Sequence, residues 1–147
     1  MKEEFRYAEA KMEGMGSEAG FYFSVTFERL LPSVLAAGMI RCDCESLTLE
    51  SPLTHIRFIR TDTTGSPLED ISHRFAGKNR HNAPNSLYKS LPELVNEFET
   101  RFFYGDDLEN RLIFVDKERD HDNPVLFYAE FEFQNGQLLK TPLFTSL

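Results

Sequence analysis

The pattern of apolar and polar positions is most regular near the end of the chain. Val125, Phe127, Ala129, Phe131 and Phe133 alternate with Leu126, Tyr128, Glu130 and Glu132, which predicts a strand with one apolar face. Asn135-Gly136 comes next, a pair that tolerates the positive φ of a two-residue type I′ turn. Such a turn sets Phe133 opposite Leu138 and Phe127 opposite Phe144. Pro142 has no N–H to give a ladder, so Leu138 to Phe144 is expected at a sheet edge.

The same period recurs near the start. Phe21, Phe23, Val25 and Phe27 alternate with Tyr22, Ser24, Thr26 and Glu28, predicting a strand over 20–29 paired with one over 5–12. The patch Gly14-Met15-Gly16-Ser17 is the expected turn between them. Pro32 in the first turn and Gly38 at the exit predict a short helix. Residues 39–50 and 53–61 are strand-like, broken by Ser51-Pro52. A loop is expected over 62–67, then two helical turns over 68–75 and a surface loop over 77–86.

The period changes to helical over 90–104. Leu91, Leu94, Val95, Phe98 and Phe102 share one face, and Glu97 and Arg101 pair at i, i+4 on the other. Ser90 with Glu93 forms a capping box, and Gly105 ends the helix. Arg111 to Asp116 is a strand with the apolar centre Leu112-Ile113-Phe114-Val115, and 117–124 is a charged turn. The expected fold is α+β: one domain over 1–147, a single curved antiparallel sheet of about six strands, and the 90–104 helix packed on its Phe-rich face. An NTF2-like or cystatin-like cone satisfies this outline as an analogy of architecture.

Composition adds the nature of the core. The chain has 147 residues, 14 of them Phe and 5 Tyr, with no Trp, and this length suffices for a core without covalent staples. Phe-rich strands bury flat rings across neighbouring strands. Sixteen basic against 24 acidic residues leave a net charge of −8, which argues against a nucleic-acid partner, since that needs a positive field. The opening residues carry no apolar signal-peptide core, and no stretch reaches the roughly 18 apolar residues of a membrane span. Cys42 and Cys44 stand at i, i+2, on one face of a strand, an awkward geometry for a mutual disulfide. A reduced, cytoplasmic protein is the expectation.

Candidate chemistry is sparse. Cys42, Cys44, His55, His73, His81 and His121 could supply metal ligands, but neither Cys-x-x-Cys nor His-x₃₋₅-His occurs, so no metal and no cofactor are expected. No nucleophile elbow and no phosphate loop is present, and no enzyme activity is expected. Two charge clusters remain. His73, Arg74, Lys78, Arg80 and His81 form a basic island that could hold an anion; its plain reading is a solvated loop. Asp106, Asp107, Glu109, Asp116, Glu118, Asp120 and Asp122 stand against Arg111, Lys117 and Arg119, seven acids to three bases. Asp106 and Asp107 come just after a helix C-terminus, where negative charge is disfavoured, and that local cost invites a functional explanation. Its plain reading is a set of turn residues.

These features point to a non-enzymatic protein-binding module, an inhibitor or immunity-type protein whose acidic face occludes a basic partner such as a toxin. The alternative is a sensory or regulatory domain holding a small molecule in a curved sheet, with a small enzyme on the same scaffold third.

Overall fold

The computed structural model describes residues 3–17, 20–30, 47–49, 51–79, 87–99, 109–120 and 122–145. The expected helix over 32–38, the strand-like run over 39–46, Cys42 and Cys44 lie outside the described residues.

The fold is α+β. Among the described residues, the strands are β1 (Glu3–Ser17), β2 (Gly20–Leu30), β3 (Leu47–Leu49), β4 (Leu53–Thr61), β5 (Pro67–Asp70), β6 (Phe75–Asn79), β7 (Glu109–Asp116), β8 (Leu126–Phe133), β9 (Leu138–Lys140) and β10 (Phe144–Thr145). The helix is α1 (Leu91–Glu99). The strands lie in two sheets rather than in one of six. The first has the order β3-β1-β2-β7-β6, and the second β10-β8-β4-β5 with β9 also on β8. All pairs are antiparallel except β1 with β3.

The two sheets and the helix share one apolar cluster. Val25, Leu112, Phe114 and Phe75 enter it from the first sheet, and Phe58, Phe127, Ala129 and Phe131 from the second. Phe58 stacks on Phe75 with ring centroids 4.0 Å apart and meets the edge of Phe114 at 5.1 Å. Helix α1 adds Leu91, Leu94 and Val95, one stripe at helical spacing. Ser90 caps it, its Oγ accepting from the Glu93 N–H at 3.4 Å. Residues 100–104 of the expected helix lie outside the described residues.

Three local expectations are corrected. The Gly14–Ser17 patch is not a turn: β1 runs on through it, pairing Gly14 with Phe23 and Ser17 with Gly20. Gly14 and Gly16 are both paired strand residues there. The helical turns expected over 68–75 are strand β5 and a single 3-10 turn at Ser72–Arg74. Asp62 causes this, folding the chain back by accepting from the N–H groups of Thr64 and Ser66, so that 67–70 returns along β4. The first part of the loop expected over 77–86 is strand, because β6 reaches Asn79. Gly77 packs there so tightly that a Cβ would lie 2.7 Å from Phe114 Cδ1 and 2.8 Å from Leu94 Cδ2.

The terminal hairpin forms with a shifted register. Phe131 lies opposite Leu139 and Glu132 opposite Leu138, one residue from the expected pairing. Asn135 does not adopt positive φ; only Gly136 does, at +89°. Gly136 N–H donates to the Phe133 carbonyl and Phe133 N–H to the Gln137 carbonyl, which closes a three-residue loop. A one-residue slip exchanges the faces, so Leu139 is buried and Leu138 exposed. The expected register returns at Phe144, opposite Phe127. The extra residue is absorbed around Pro142, where the Ala129 N–H donates to Thr141 Oγ1 at 2.9 Å instead of to a ladder carbonyl.

Candidate functional site

The two charge clusters of the sequence meet in space. The 3-10 turn delivers Arg74 just before β6, and Asp116 ends β7 opposite Phe75. The Arg74 Nε donates to Asp116 Oδ1 at 3.2 Å and its Nη2 to Oδ2 at 2.6 Å, a two-pronged ion pair. The Arg74 side chain is 15% exposed and that of Asp116 only 2%. Asp116 is therefore turned inward, and Arg74 is already satisfied by a carboxylate of this chain. Neither is placed to meet an outside ion.

The pair anchors the charged turn after β7. Lys117 N–H donates to the Arg74 carbonyl at 2.8 Å, and Glu118 N–H to Asp116 Oδ1 at 2.9 Å. Arg74 Nη2 also reaches the Glu118 carbonyl, and His73 Nε2 lies 3.6 Å from Glu118 Oε2 at the exposed rim. Asp120 closes the turn internally. Its Oδ1 accepts from the Asp122 N–H at 2.9 Å and its Oδ2 from Asn123 Nδ2 at 2.8 Å. Glu118, Asp120 and Asp122 are exposed on this braced turn.

The other residues of the two clusters are placed differently. Lys78 is half-buried on β6, with its Nζ 4.8 Å from the centroid of Tyr88. Glu109 opens β7, in register with Glu28. Asp106, Asp107, Arg80 and His81 lie outside the described residues. The acidic turn borders a groove of about 520 Å³ between the Asp62 turn and the start of β8, lined by Arg60, Asp62, Leu68, Asn123, Pro124 and Leu126. Arg60, the cation in that wall, is held by Glu69 at 2.6 Å. Hydrogen bonds from the Thr64 side chain and the Ser66 backbone hold the Asp62 carboxyl below the usual carboxylate range. Asp62 thus keeps its charge on the groove wall into mild acid.

Sequence reasoning missed a second cluster, in which His55, Arg57 and Glu132 meet across β4 and β8. Arg57 and Glu132 are 75 positions apart, and only the register of two alternating strands could have linked them. Among the described residues, no group of three or more His, Cys, Asp or Glu side chains is disposed to hold a metal, and no helix is long and apolar enough to cross a membrane. No family model, curated protein or solved structure matches the chain.

Proposed function

We propose that the protein is a non-enzymatic binding module whose acidic turn docks against a basic protein partner, of the kind an inhibitor or immunity protein holds, with a toxin as the leading class and the cytoplasm as its setting. The observation that carries this reading is the bracing of the turn. Glu118, Asp120 and Asp122 project from a loop fixed at both ends, by Arg74–Asp116 at one and by Asp120–Asn123 at the other. A pre-ordered loop loses little freedom on binding. The adjoining groove gives a partner side chain somewhere to go, and the net charge of −8 steers a basic protein toward the surface.

The test uses Glu118→Lys together with Asp122→Lys, which leaves the anchoring carboxylates Asp116 and Asp120 in place. A basic protein encoded by a neighbouring gene, where there is one, serves as partner in a stopped-flow series. Rim charges act mainly through association rate, and their reach is about 8 Å at physiological salt. Capture should slow by about tenfold or more at low salt, with the gap closing as salt rises. Equal rates at every ionic strength would remove this turn from the interface.

A further inference from the structure

We propose that the groove between the Asp62 turn and the start of β8 receives one arginine side chain of a basic protein partner, with the Asp62 carboxylate as its counter-charge. This deepens the protein-binding reading and rests on it: the acidic turn steers the partner, and the groove beside it holds one side chain.

The groove measures about 520 Å³, enough for a long side chain. Its apolar walls are Leu68 from β5, and Pro124, Val125 and Leu126 where the chain enters β8. Leu68 is 53% exposed, so one of these walls stands open to water. Two acceptors line the same groove. The first belongs to Asp62, which is half-buried and whose two oxygens are used differently. Oδ1 accepts from the Thr64 N–H at 2.8 Å, the Ser66 N–H at 3.0 Å and the Thr64 hydroxyl. Among the described residues, no hydrogen bond reaches Oδ2. The bonds to Oδ1 fix the carboxylate and keep it ionised. The second acceptor belongs to Asn123. Its Nδ2 is spent on Asp120, which leaves its Oδ1 to accept.

The charges decide the sign of the occupant. Arg60, the cation in the wall, donates from Nε to Glu69, so the wall and its ion-pair partner carry two carboxylates to one guanidinium. Asp122, exposed beside Asn123, adds the same sign at the rim. An anion meets repulsion there, whereas a cation completes the open side of Asp62. The apolar walls decide its shape. They suit a cation carried on an apolar stem, which a bare metal ion lacks and an arginine or lysine has. Arginine fits better of the two. Its planar head spreads five donors, enough to serve one acceptor on each side of the groove, and it is weakly hydrated, so it loses less on entering a half-buried site. The lysine ammonium is a compact, strongly hydrated point. Arginine is also among the residue types that carry most binding energy at interfaces.

The probes are the N-acetyl methylamides of arginine, lysine and glutamate, titrated into ¹⁵N-labelled protein. The arginine probe should give saturable shifts at the amides of Thr63, Asn123 and Leu126 at millimolar concentration. The lysine probe should bind more weakly, and the glutamate probe should shift none of these amides. Asp62→Asn removes the charge but keeps a carbonyl oxygen for the Thr64 and Ser66 N–H groups, so the turn should hold. It should weaken the arginine probe by about tenfold or more, the scale of one charged hydrogen bond. Leu68→Ala, at an exposed position that the fold does not depend on, should weaken it as well by shortening the wall under the stem. Four results overturn the proposal: no saturable shift with the arginine probe, lysine or glutamate bound as tightly as arginine, undiminished binding in Asp62→Asn, or undiminished binding in Leu68→Ala. These titrations need no protein partner. Their failure leaves the salt-dependent capture by the acidic turn untouched, and failure of that capture leaves the titrations to be read by themselves.

Discussion

Single residues at this fold's contacts carry unequal weight, and burial decides which. Arg74 and Asp116 form the nearly buried pair, and removing one partner leaves a charge with neither water nor counter-ion. Arg74→Ala should therefore cost about 3–5 kcal/mol in denaturant unfolding, while Arg74→Met with Asp116→Leu should cost far less. A loss below about 1 kcal/mol for the single variant would place the pair in solvent. Gly77 is the second such residue. Any Cβ there meets Phe114 and Leu94 at contact distances that real atoms do not adopt, so Gly77→Ala should lose about 1–3 kcal/mol by overpacking where α1 meets β6. Asp62 and Glu132 act through pH instead. Both carboxyls are held below their ordinary values, so the stability they confer is complete above the unfolded range and is lost as pH falls through the folded values. Asp62→Asn should accordingly flatten the acid limb of a melting-temperature profile below about pH 4 and leave its neutral plateau shape unchanged. Little of this was legible in the chain. Arg74 and Asp116 each stood out as members of a charge cluster, but nothing local links positions 42 apart.

Elements with a strict period were legible, and those without one were not. Strand β8 announced itself by alternation, and its inward residues Phe127, Ala129, Phe131 and Phe133 are the ones the alternation named. Helix α1 announced itself by its stripe and its cap. Strand β6 could not, because Phe-Ala-Gly-Lys-Asn alternates only weakly and its glycine reads as a loop signal. The hairpin beyond β8 was legible as a hairpin but not in register, since Asn135-Gly136 fits both a two-residue and a three-residue loop. Its repair near Pro142 uses the Thr141 hydroxyl beside the Thr141 N–H, which donates to the Ala129 carbonyl at 2.9 Å. Thr141→Val keeps the shape of the side chain but takes the acceptor from the buried Ala129 N–H, at a cost of about 1–3 kcal/mol. Hydrogen exchange should show the Ala129 amide losing protection more than its neighbours in β8. Uniform loss along the strand would mean that the hydroxyl is not the bond that matters.

At the scale of the whole molecule, the question is what binds two sheets into one structure. Each sheet was partly visible in the sequence, but their division was not, because period-2 alternation says that a face is buried and not against what. The link is aromatic. Phe58 belongs to β4 in the second sheet, yet its ring lies on Phe75 and Phe114 of the first, at 4.0 and 5.1 Å, closer than on Phe127 of its own sheet at 5.9 Å. It is fully buried, so its removal opens a cavity on the seam itself. Phe58→Ala should cost about 3–5 kcal/mol from lost burial and cavity. Phe131→Ala should cost a similar amount, since Phe131 is equally buried. The two differ in what they uncouple, because Phe131 lies in β8, paired with Ile56 and Leu139 within the second sheet. Native-state hydrogen exchange separates them. In Phe58→Ala the amides of β7 and those of β8 should lose protection together, because the seam that joins them is weakened from both sides. If protection falls only in β4 and β8, the sheets are held by other contacts, and Phe58 is an ordinary core residue of its own sheet.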